Sequence, residues 1–264
     1  MDQLNDYLLT KYPDRYYSAK DGHSLLLLGR KTDAQPAMGL YTIAVPLANI
    51  NIPFVKTLLV DNAFYILGYR LTKQIKIPFI TIAFPADSDD ESVADFILST
   101  DGYRNPRLVK SSELEGVLLD ILHLEKSSTP PKTVNKHTAD FFHNWSRNHL
   151  PSGDEGVIKC DLDGLFYGAG QNGILIEIKR SSIPKIPKWR PYSGDFTGLN
   201  FLRNLALVLN FKFWIMHHEG QEITEDTEIS IFDIELHNPI EVPKGPTYLN
   251  IYNPIKIKIL SSLL

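Results

Sequence analysis

One cysteine, Cys160, stands in a chain of 264 residues. A lone thiol cannot close an intramolecular disulfide, and it cannot build a multi-cysteine zinc site. Long apolar runs are missing as well. The best candidates, at 79–84 and 205–209, fall far short of the roughly 18 residues that span a bilayer, so no membrane partner is expected. The opening residues (MDQLNDYLLTKYPDRYY) lack a basic stretch followed by an apolar one, the pattern of a secretory signal. These features lead us to expect a protein that works in the cytoplasm. There is no basic excess: 27 Lys+Arg stand against 31 Asp+Glu, a net charge of −4. That argues against indiscriminate coating of nucleic acid, although local patches, not net charge, set contacts with phosphates. The chain also lacks an internal repeat, a Gly-rich phosphate loop ending in Lys-Ser/Thr, a G-x-S-x-G elbow and a His-x-x-x-His pair.

What is present is the composition of a globular protein, 43% hydrophobic and 22% charged. Residues 125–136 (EKSSTPPKTVNK) are nearly free of apolar side chains, and Pro130–Pro131 breaks any helix there. They suggest a boundary near 130, between an accessory domain (1–130) and a second domain (131–264). In the first domain, 24–28, 41–45, 63–69 and 79–84 read as strands. Residues 87–98 read as a helix with acids in its first turn, and 113–124 as a helix with one apolar stripe. In the second domain, 138–149 reads as a helix and 157–167 as a strand. A Gly-rich turn at 168–173 and a second strand at 174–179 follow. After these come a helix over 195–210, with Asp195 as its N-cap, and a strand over 211–217. The chain is therefore expected to be α/β in the broad sense (α+β), with a strand-rich N-terminal part.

The hairpin 157–179 carries unusual polar residues. A register with Tyr167 opposite Gly173 puts Asp163 across from Glu177 and Asp161 across from Lys179, on one face. Opposed carboxylates repel, and a divalent cation with a preference for oxygen ligands, such as Mg²⁺, removes that cost. Ile174, Ile176 and Ile178 fill the other face.

Asp163, thirteen intervening residues and then Glu177-Ile178-Lys179 resemble the PD-(D/E)xK nuclease superfamily. The resemblance covers residues 137–218 and includes the hairpin, helix and strand in that order. It implies a restriction-endonuclease-like mixed sheet flanked by helices, and Mg²⁺-dependent hydrolysis of phosphodiester bonds. It further implies that Asp163, Glu177 and the carbonyl of Ile178 bind the metal, while Lys179 positions the attacking water and stabilises the transition state. Two departures stand out. Cys160-Asp161-Leu162-Asp163 has no proline before the acid, so Asp161 competes with Asp163 for the main ligand position. Pairing with Glu177 favours Asp163 and leaves Asp161 as a second ligand or a base. The family core also carries one more strand between its first helix and the hairpin, where this chain has only residues 149–156.

After Lys179 comes a basic coil, KRSSIPKIPKWR, with Arg180, Lys185, Lys188, Trp189 and Arg190 and no acid before Asp195. Cations interleaved with an aromatic suit phosphate contact with stacking. His217 and His218 are neighbours on a strand, point to opposite faces and cannot chelate together. Cys160 reads as a small core residue. The expected function is that of a Mg²⁺-dependent DNA endonuclease of restriction type, with the N-terminal domain serving target recognition. A homodimer is the simplest way to cut both strands. Two alternatives remain open: a non-catalytic nucleic-acid-binding or interaction module on the same scaffold, and an RNA-processing nuclease.

Overall fold

Pairing between distant segments builds two mixed β-sheets, seen in a computed structural model that describes residues 3–86, 95–126, 141–167, 173–181, 189, 195–220, 222–236 and 256–259. The chain opens with α1 (Gln3–Lys11) and β1 (Tyr16–Ser18). It continues through β2 (His23–Arg30), β3 (Met38–Val45), α2 (Ile52–Leu59), α3 (Ala63–Gln74) and β4 (Phe79–Pro85). Next come β5 (Asp95–Ser99), β6 (Arg107–Lys110), α4 (Ser111–Leu122), α5 (Phe141–His149) and β7 (Val157–Asp161). The last elements are β8 (Gly164–Phe166), β9 (Ile174–Arg180), α6 (Phe196–Leu209), β10 (Lys212–His218), β11 (Glu228–Asp233) and β12 (Lys256–Ile259). Among the described residues no helix is long and apolar enough to cross a membrane.

Two compact units result, one from Met1–Ala19 with Leu162–Leu264, the other from Lys20–Asp161. The second is thus inserted into the first. This differs from the boundary expected near 130. Residues 127–136 of that stretch lie outside the described residues, and both α5 and β7, beyond it, still belong to the inserted unit. Phe142 and Trp145 of α5 join the core formed by Phe96, Leu114 and Leu118, and β7 pairs with β2. Low apolar content there does not mark a change of unit.

In the inserted unit the strand order is β6-β5-β4-β3-β2-β7, with β3 and β4 parallel and the other pairs antiparallel. Every residue of β4 is buried, as expected for a strand covered on both faces. Residues 63–69 are helical, not extended. The Asn62 side chain accepts the Tyr65 N–H at 2.9 Å, and Phe64, Leu67 and Leu71 are buried at helical spacing. N-capping and periodicity outweigh the β preference of Tyr, Phe and Ile there. The expected helix over 87–98 is also corrected: Asp95–Ser99 is β5, and residues 87–94 lie outside the described residues. The unit's buried carboxylate, Glu115 (4% exposed), is matched by Lys126 at 3.0 Å and His149 at 3.3 Å.

In the other unit the order is β1-β8-β9-β10-β11-β12, with β9 and β10 parallel and the other pairs antiparallel. Leu4 and Leu8 of α1 pack with Tyr16, Phe166, Ile174, Ile176, Met216 and Ile231, which line one face of this sheet. A helix, α6, connects β9 to the parallel β10 and packs on both. At Gly164 a side chain would collide with the Tyr16 ring, so glycine is what lets β1 lie against β8.

Candidate functional site

The site grows from the β8–β9 ladder. Phe166 pairs with Ile174, Leu165 with Leu175 and Gly164 with Ile176. This is the register expected from the turn, and one further step brings Asp163 level with Glu177. Asp163 Oδ2 accepts the Ile178 backbone N–H at 2.7 Å. The N–H and C=O of a strand residue face the same side, so the Ile178 carbonyl also faces the Asp163 edge of β9.

Glu177 and Lys179 alternate with the isoleucines, on the face opposite α1. Lys179 Nζ lies 3.0 Å from Glu177 Oε1 and 3.6 Å from Asp195 Oδ1. These side chains are only 27%, 16% and 34% exposed, so their charges act through poorly screened surroundings. Burial pulls Lys179 down, but the attraction of Glu177, Asp195 and Asp163 outweighs it and holds the ammonium above the ordinary lysine value. Among the described residues, three carboxylates therefore act on the Lys179 ammonium.

Asp195 is the site residue that sequence reasoning missed. It occupies the N-cap of α6 as expected, yet its side chain makes no capping bond and reaches toward Lys179 instead. The only signal was an acid at the start of the helix that follows the Glu-x-Lys strand.

Asp161 is corrected. It ends β7 and pairs with Leu26 of β2, in the other sheet, so it does not stand across from Lys179. The expected strand 157–167 breaks at Leu162–Asp163 because the β2 edge takes its first half and β9 its second.

Of the coil residues, Arg180 is exposed at the end of β9, and Lys185, Lys188 and Arg190 lie outside the described residues. Trp189 is not displayed for base stacking. It is 5% exposed, stacked on His217 with centroids 4.4 Å apart and edge-on to Phe232 at 5.3 Å. His217 and His218 are both buried, on opposite faces of β10, and His218 Nδ1 accepts the Gly220 N–H at 3.2 Å. Burial, with His218 adding to it, pushes His217 down to about 4. Cys160 is buried, as read from sequence.

Among the described residues no three side chains of His, Cys, Asp and Glu converge as a ready metal cage. Comparisons of the chain with protein-family models, with curated proteins and with solved structures find no match.

Proposed function

We propose that this protein is a metal-dependent nuclease that hydrolyses DNA phosphodiester bonds, with Asp163, Glu177 and Lys179 at its centre. The observation that carries this reading is the Asp163 carboxylate bonded to the backbone of Ile178, between Glu177 and Lys179. The element order supports it. A helix, a strand, a hairpin, a helix and a strand run as α1, β1, β8–β9, α6 and β10. In this restriction-endonuclease-like reading, the strand that the sequence lacked before its hairpin is β1, separated from β8 by the inserted unit.

The donor set suits Mg²⁺. Asp163, Glu177 and the Ile178 carbonyl supply oxygen, the hard donor this cation prefers. Two carboxylates and a carbonyl leave the other positions to water and substrate, as Mg²⁺ sites commonly do. When bound, the ion would neutralise phosphate charge and acidify water. The chain's own contribution lies in Lys179. Its ammonium, held between Glu177 and Asp195, orients the attacking water and faces the negative charge that grows on the phosphate oxygens. Arg180 and the cations of residues 185–190 bind the flanking phosphates, and the inserted unit recognises the target.

Incubation with plasmid DNA, with and without Mg²⁺, tests this on a gel. Nicked or linear product that appears only with the metal is expected. Intact plasmid under every divalent ion would overturn the reading.

A further inference from the structure

Beside the site, β10 and β11 carry two polar residues where apolar ones would pack. His217 pairs with Lys179 on one side and with Ser230 on the other, so the three side chains form a row on one face. Their neighbours on that face, Phe213, Ile215 and Phe232, are fully buried apolar residues. His217 is 0% and Ser230 1% exposed, and Trp189 lies flat over the imidazole. Among the described residues, neither ring nitrogen of His217 nor Oγ of Ser230 has a hydrogen-bond partner.

Polar atoms in a native interior are almost always paired, with protein or with an ordered water, because an orphan costs stability. Such costs are tolerated chiefly at functional sites. Lys179 supplies what this row needs. An ammonium has three protons: Glu177 at 3.0 Å takes one, Asp195 at 3.6 Å is an ion pair beyond hydrogen-bond length, and among the described residues two protons are left.

We propose that His217 and Ser230 are positioning residues of the candidate site: they hold a buried water that accepts one of the remaining protons of Lys179 and so aim the last one at the attacking water. The imidazole is neutral in this role, so that one ring nitrogen can accept a proton from the water. Burial and the adjacent His218 favour that neutral form against the pull of Glu219. The inference rests on the nuclease reading and adds two residues to it.

The test uses the full chain with His217→Phe, which keeps a ring under Trp189, and the milder Ser230→Ala. Thermal melting, binding of a DNA duplex in Ca²⁺ and single-turnover cleavage in Mg²⁺ are measured together. Both variants should melt at or above the wild-type temperature, bind within about twofold and cleave about tenfold more slowly, the scale of one hydrogen bond to a charged group. Ser230→Thr, which keeps the hydroxyl, should restore the rate. Wild-type rates in both variants would overturn the inference while leaving the nuclease reading intact. So would rates that fall only as far as the folded fraction does. A wild-type protein that never cleaves overturns the nuclease reading and this one with it. A high-resolution crystal structure gives a readout independent of activity, since a dry contact among His217, Ser230 and Lys179 sinks the proposal alone.

Discussion

The two sheets solve the same problem of buried charge in opposite ways. In the inserted unit, Glu115 is matched by Lys126 and His149, and the central strand β4 is apolar throughout. In the other unit Glu177 and Lys179 sit on a central strand itself, with Asp163 before β8 and Asp195 at the cap of α6. Among the described residues, the carboxylates of Asp163, Glu177 and Asp195 all act on the ammonium of Lys179. A closed polar cluster ties helices together. Where carboxylates crowd together, the repulsion is one that a bound cation can relieve.

Substitutions in the two clusters should separate these cases. The largest effect is expected for Asp163→Ala and Glu177→Ala, each of which should abolish metal-dependent cleavage on a plasmid gel with the melting temperature held or raised. Removing one acid from a crowded group relieves repulsion. Cleavage that survives Asp163→Ala would place the two clusters in the same structural class. Lys179→Ala should slow single-turnover cleavage by about 10²-fold or more, the cost of one preorganised charge, with little change in DNA affinity in Ca²⁺. Replacing Lys185, Lys188 and Arg190 by Ala should weaken duplex binding and flatten its salt dependence by roughly 0.9 per lost contact in a log–log plot. In the inserted unit, Glu115→Ala should lower stability by about 1–3 kcal/mol in urea titrations and leave cleavage per folded molecule unchanged. The last test concerns acid. His217 titrates near 6.5 when unfolded and about 4 when folded, so only the unfolded chain takes up the proton between those values. Stability should fall as pH drops from about 6.5 to about 4, and His217→Phe should remove that part of the slope.

The hairpin register, the β9–α6–β10 unit and the acid–lysine pattern could be read in the sequence because they are local. A Gly-rich turn fixes the register, and alternation fixes the faces. Other features depend on partners far away in the chain. Residues 157–167 read as one strand until β2 and β9 compete for its halves. Trp189 sits among cations in sequence, and nothing nearby reveals that His217 covers its ring. Asp195 satisfies the rule for a helix cap, and only the folded chain shows its carboxylate turned to Lys179. Likewise, α1 and β1 carry no mark assigning them to a sheet whose next strand begins at Gly164.

That last separation sets an order of events during synthesis. β1 pairs with β8, yet residues 20–161 must be made between them. At about 5–20 residues per second, the ribosome needs roughly 10–30 s to cross that interval. The inserted unit, continuous in sequence, can close its core in that time. Leu4, Leu8 and Tyr16 cannot, because Phe166, Ile174 and Met216 do not yet exist. Translated before the inserted unit, α1 is thus buried after it, and meanwhile its apolar stripe is open to chaperones and to neighbouring nascent chains.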